Sequence, residues 1–95
     1  MFVQTAFTQK FELGQVLITP GAHDDLELKD VASCLVRHAS GDFGDVCTED
    51  WELNEESVES GERILSSYHD RNSVKFWIIT EWDRSATTIM LPSEY

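Results

Sequence analysis

Four consecutive apolar residues, Phe76-Trp77-Ile78-Ile79, constrain this chain more than any other feature. In a strand over Val74–Glu81 the side chains alternate, so Val74, Phe76 and Ile78 share one face and Trp77 and Ile79 the other. A strand that is apolar on both faces belongs in the middle of a sheet, covered by helices on one side. The second face, with Tyr68 from a neighbouring strand beside Trp77, is then either covered by the N-terminal segment or open as a partner surface. In the open case it is a place for a homodimer to form through Trp77.

The remaining pattern supplies the neighbours of that strand. Phe11 to Ile18 predicts a first strand, with Phe11, Leu13 and Leu17 on one face and Val16 and Ile18 on the other. Thr19-Pro20 offers an N-cap followed by proline at the first helical position, which predicts a short helix through Gly21–Leu28. Asp30 is placed to cap a second helix to Ala39. At 100° per residue its apolar face holds Val31, Ala32, Cys34, Leu35, Val36, His38 and Ala39, leaving Ser33 and Arg37 outside. Thr48 is placed to cap a third helix ending at Ser60, with Gly61 as its stop. Arg63–Tyr68, Val74–Glu81 and Ala86–Leu91 then read as strands, joined by connections short enough for antiparallel hairpins.

The expected fold class is therefore α+β. One domain over residues 1–95 would contain an antiparallel sheet of about four strands with two to three helices on one face. Residues 1–10 would add an extra strand or arm. Ninety-five residues, 41% of them apolar, support one ordinary core and no second domain. No apolar run approaches the roughly 20 residues of a membrane helix, and no cationic segment precedes an apolar one at the N-terminus. Two cysteines make no disulfide framework, so a reducing, cytoplasmic setting is expected.

Charge narrows the partners. A net charge of −11 repels nucleic acid and anionic membranes, so neither is expected as a direct ligand. Half of the 18 acidic residues fall in one block: Asp42, Asp45, Glu49, Asp50, Glu52, Glu55, Glu56, Glu59 and Glu62. That block contains no Lys or Arg. On a helix, Glu49, Glu52, Glu55, Glu56 and Glu59 lie within about 120° of arc, with Trp51 and Val58 pointing elsewhere. Such a helix would dock through Trp51 and Val58 and display five carboxylates, flanked by Asp42 and Asp45. Glu52/Glu56 and Glu55/Glu59 are like-charge pairs one turn apart, each destabilising by roughly 0.2–0.5 kcal/mol. From Thr48 to Ser60 the helix would run about 20 Å, over which duplex DNA carries on the order of ten charges. The block therefore reads either as a solvated face that keeps a small protein soluble or as an imitation of a nucleic-acid backbone. In the second case it would occupy a basic protein surface.

No catalytic signature is present. Cys34, His38 and Cys47, with His23 or His69, have the residue types of a zinc site. Their spacing matches no standard finger, and Cys34 and His38 fall on the apolar helix face, so neither metal nor cofactor is expected. Asp42, Asp45, Glu81, Asp83 and Arg84 would suit a carboxylate–arginine hydrolase or nuclease, but Asp and Ser at these places are also ordinary turn residues.

From Phe11 onward the chain resembles a family of short proteins found on bacterial plasmids and other mobile elements. The resemblance rests on FELGQ (11–15), TPGA (19–22), RHASGDFGD (37–45), RILSSY (63–68) and FWIITEWDRSATTIMLPSEY (76–95). Some members carry a restriction-modification label, but a chain this short holds neither a methyltransferase nor a motor, and no catalytic residues carry over. The resemblance implies a mobile-element setting, in which small acidic proteins block host defences such as CRISPR effectors or restriction enzymes.

Overall fold

A computed structural model describes residues 8–95. Most of the expected N-terminal strand or arm lies outside the described residues. The elements are β1 (Gln15–Ile18), α1 (Pro20–Asp25), α2 (Leu28–Ala39), α3 (Thr48–Ser60), β2 (Ile64–His69), β3 (Lys75–Thr80) and β4 (Ala86–Met90). A single 3₁₀ turn, Pro92–Glu94, follows. The fold is α+β, as the sequence predicts, with β3 in the interior of the sheet.

One expectation is corrected. The sheet is mixed, in the order β1-β4-β3-β2, and β1 runs parallel to β4. Periodicity locates strands but does not say which of them pair. The chain runs from β1 through all three helices and the β2–β3 hairpin before β4 arrives beside β1. A parallel neighbour is what such a long crossover permits.

β1 is also shorter than expected, and the reason is local. Gly14 has a φ of 63°, and a side chain there would strike the backbone of Arg84 and Ser85. The chain turns at Gly14, which takes Phe11 out of the strand and into a small cluster with Phe43 and Ile64. Trp51 and Val58 of α3 pack on that cluster. The main core lies between the sheet and α1 and α2, where Ala22, Leu26, Val31 and Cys34 meet Tyr68, Phe76, Ile78 and Ile89.

α2 begins at Leu28, earlier than Asp30 would place it. Its N-cap is Glu27, whose carboxylate accepts from Lys29 N–H. Asp30 instead accepts from the guanidinium of Arg71, at 3.0 and 2.9 Å, and from Arg71 N–H at 2.8 Å. Asp70 accepts from Glu27 N–H while also closing its own turn through Asn72 and Val74. These contacts fix the start of α2 to the β2–β3 hairpin.

Beneath α2 lies a chain of polar groups. His38 is fully buried; its Nδ1 lies 2.5 Å from Ser66 Oγ and its Nε2 2.8 Å from Thr80 Oγ1. Thr80 Oγ1 is 2.7 Å from Thr87 Oγ1, which donates to the Leu13 carbonyl at 2.7 Å. A carbonyl only accepts and burial keeps the ring uncharged, so the direction of every proton follows. Thr87 has spent its proton on Leu13 and accepts from Thr80. Thr80 in turn accepts from Nε2–H, which leaves Nδ1 bare to accept from Ser66. The imidazole is neutral, protonated on Nε2.

Burial, with a smaller contribution from the Arg84 charge, lowers the His38 pKa from 6.5 to about 3. The unfolded chain therefore takes up a proton near pH 6.5 that the folded chain refuses until about pH 3. Stability held by the neutral form is fully present above 6.5 and is lost as pH falls toward 3. Between pH 6 and 5 the loss from this group is about 1.2 kcal/mol. Urea unfolding at the two pH values should show a fall larger by that amount in the native chain than in His38→Gln. Ring resonances of His38 that titrate near pH 6 in the folded protein would contradict the buried neutral state.

Candidate functional site

The acidic helix is held by its least acidic side. Residues Trp51, Asn54, Ser57 and Val58 face inward, and two of these four are polar. Asn54 is buried against the outer edge of β2, where its carboxamide does the work of a neighbouring strand. Nδ2 donates to the Leu65 carbonyl at 2.8 Å, and Oδ1 accepts from Leu65 N–H at 3.2 Å. Two residues further along the same edge, Ser67 N–H donates to Phe43 O and Asp45 N–H donates to Ser67 O. Gly44 bridges this approach at a φ of 72°, where a Cβ would collide with the Ser67 carbonyl. The β2 edge is thus closed by a side chain and a loop, and α3 flanks the edge instead of lying over the sheet centre.

The ends of α3 explain how an acidic helix persists. Its N-cap is Cys47 and not Thr48, and no side chain caps it. Glu49 and Asp50 in the first turn complement the helix dipole there. The last turn has no basic residue of its own. Arg84 fills that role from the β3–β4 hairpin: its guanidinium donates to the Ser57 carbonyl at 2.7 Å, to Glu62 O at 2.6 Å and to Glu81 O at 3.1 Å. Trp51 packs edge-on against Phe43, with centroids 5.2 Å apart.

The outward side carries the carboxylates. Glu49, Glu52, Glu55, Glu56 and Glu59 are all exposed. Among the described residues the ion pairs within 4 Å are His23–Asp24, Arg37–Asp42, His69–Asp45 and Arg71–Asp30, and none reaches these five glutamates. Lys10 lines a shallow recess with Glu55 and Glu59 beside Gly41 and Phe43. Apart from Lys10 at this margin, the face that the helix presents is acidic.

Asp42 and Asp45 flank the helix but are engaged already. Arg37 donates to Asp42 at 2.8 and 3.3 Å, and with Gly44 N–H it holds that carboxyl below the usual carboxylate range. Asp45 lies 2.8 Å from His69 Nδ1. Their backbones do further structural work, Asp42 O accepting from the buried Tyr68 hydroxyl at 2.6 Å.

The fold does not gather the expected hydrolase residues. Arg84 lies beside Glu62, before β2 begins, whereas Asp42 is tied to Tyr68 near its end. Four residue steps of strand separate Ile64 from Tyr68, about 13 Å. Among the described residues no three His, Cys, Asp or Glu side chains converge as a metal site. Both His38 nitrogens are taken by Ser66 and Thr80, and burial pushes the Cys34 thiol up.

The second sheet face is covered in part by the end of the chain. Tyr95 packs edge-on against Trp77 at 5.7 Å, and Arg63 donates to its hydroxyl at 2.5 Å. Ile79 is buried, while Trp77 stays half-buried. Among the described residues no helix is long and apolar enough to cross a membrane.

No family model, curated protein or solved structure matches this chain.

The sequence pattern alone marks neither Asn54 nor Arg84 as a residue that holds the helix. Asn54 shares the inward stripe with Trp51 and Val58, and that spacing was the available signal. Asn54→Ala removes both bonds to Leu65 and should lower the unfolding free energy by about 2 kcal/mol. Asn54→Asp, which sets a carboxylate oxygen against the Leu65 carbonyl, should cost at least as much at pH 7 and recover in part when acid restores a donor. Urea titrations at pH 7 and 4.5 would read both, each referred to the native chain at the same pH.

Proposed function

We propose that this protein is a non-catalytic acidic binding module. It would occupy the basic surface of a nucleic-acid-binding complex with the outward face of α3. Glu49, Glu52, Glu55, Glu56 and Glu59 supply the field, with Asp42 and Asp45 at its margin. The observation that carries this reading is the asymmetry of the helix. Arg84 acts on its backbone, Arg37 on its flank and Lys10 sits only at the margin beside Glu55 and Glu59, so among the described residues the five glutamates are left exposed with no ion pair. A solvated face built for solubility alone needs no such segregation. Five carboxylates along about 20 Å resemble part of a nucleic-acid backbone in charge and length.

The resemblance to mobile-element proteins points to the owner of that basic surface: a host defence complex such as a CRISPR effector or a restriction enzyme. Inhibition would follow from occupancy, since nucleic acid and the acidic helix would compete for the same cations. Such binding has a salt signature, because long-range attraction of this kind weakens as added salt shortens the Debye length. Work of this kind takes place in the cytoplasm.

Replacing Glu52, Glu55 and Glu56 together with glutamine should weaken capture of such a complex from bacterial lysate and flatten its salt dependence. The same substitution relieves two like-charge pairs and should firm the fold by about 0.4–1 kcal/mol. Unchanged capture by a correctly folded triple variant would refute the electrostatic mechanism.

A further inference from the structure

The two edges of the sheet are treated differently. The β2 edge is closed by Asn54 and the Phe43–Asp45 loop, but β1 forms the other edge and no described residue pairs with its outer side. Gln15 N–H donates to Ser85 O and Thr19 N–H donates to Ile89 O. Peptide groups alternate along a strand, so Gln15, Leu17 and Thr19 face β4 while Val16 and Ile18 face outward. Among the described residues no turn, loop or side-chain hydrogen bond reaches the backbone of Val16 or Ile18. Val16 and Leu17 are 45% and 42% exposed.

Open edges are usually guarded by a lysine, a proline or a bulge. The β1 sequence Gln-Val-Leu-Ile has none of these within it. Its outward groups are also self-complementary. Val16 and Ile18 are equidistant from Leu17, so a second copy related by a two-fold axis through Leu17 pairs Val16 with Ile18 and Ile18 with Val16. Four backbone hydrogen bonds result, and the two Leu17 side chains become direct neighbours.

Charge sets the orientation of such a pair. Two chains of −11 repel, but β1 is uncharged and α3 flanks the opposite edge. In the paired arrangement seven strand spacings, about 34 Å, separate the two β2 strands, and the acidic helices flank them at the far ends. That is several Debye lengths at physiological salt.

We propose that two copies of this chain pair antiparallel through β1 to form a continuous eight-stranded sheet with an acidic helix at each end. The pairing stands without the binding role given to α3. If that role holds, the dimer offers two such helices to one target.

Sedimentation velocity of the full chain, over a concentration series in low and high salt, tests the pairing. Expected is a shift from 10.8 kDa toward twice that mass, stronger in high salt because screening relieves repulsion. Binding of α3 to a basic surface has the opposite salt dependence, so failure of one reading is distinct from failure of the other. Val16→Pro removes only an outward N–H and leaves the ladder to β4 intact. It should weaken self-association about 30-fold, the loss of two hydrogen bonds per dimer. Leu17→Lys, which opposes two cations across the axis, should do the same in a chain with unaltered backbone. Amide exchange at Val16 and Ile18 should slow as concentration rises. A chain that stays monomeric into the millimolar range in high salt overturns the proposal. So does a dimer that survives both β1 substitutions but is lost in Trp77→Ser.

Discussion

His38 carries into the interior two nitrogens that both need partners, and the chain meets that demand by setting β2, β3 and β4 beneath α2. An orphaned buried polar group costs roughly 1–3 kcal/mol, so the line from Ser66 through His38, Thr80 and Thr87 to the Leu13 carbonyl is an all-or-none arrangement. It also sets register. Sliding β3 by one residue against β4 would move Thr80 to the other face and take from His38 Nε2 its acceptor and from Thr87 its donor together. The Gly14 turn belongs to the same constraint, because it is at this turn that the Leu13 carbonyl meets Thr87. Apolar residues make this core favourable; the polar line makes it specific.

α3 is a second consequence of the same economy. Its surface opposes helix formation, and its inward side is too polar to be held by burial alone. What holds it is complementarity to backbone groups elsewhere. Asn54 completes the β2 edge, and Arg84 supplies the positive charge its C-terminus lacks. Both contacts lie on the side away from the carboxylates. The helix can therefore be fixed firmly while the glutamate face stays bare, which is the condition for an electrostatic surface to act over distance. The contrast with β1, whose edge is uncharged and paired with no other described residue, gives the molecule two surfaces of opposite character at opposite sides of one sheet.

Much of this was legible in the residues. The Phe76–Ile79 run placed β3 inside the sheet, Thr19-Pro20 marked the start of α1, and the spacing of the five glutamates put them on one exposed face. Other readings were displaced by tertiary partners. Asp30 has the chemistry of a cap but was taken by Arg71, and Glu27 capped the helix instead. Val36 and Ala32 were placed on the apolar face of α2 yet are exposed, since a narrower stripe of Val31, Cys34, His38 and Ala39 meets the sheet. Asp42 and Asp45 were grouped with the glutamates by proximity in sequence, but each has a nearby partner, Arg37 and His69, that the glutamates lack.

The class of fold, the interior place of β3 and the segregation of acid onto one helix face depend on local periodicity and composition, and so can be read from the residues alone. Folding in three dimensions sets β1 parallel to β4, closes the β2 edge with Asn54 and buries His38 so that it stays neutral. Each of these turns on hydrogen-bonding groups far apart in the chain. Periodicity reports which side of an element is buried; only the folded chain shows which donor meets which acceptor there.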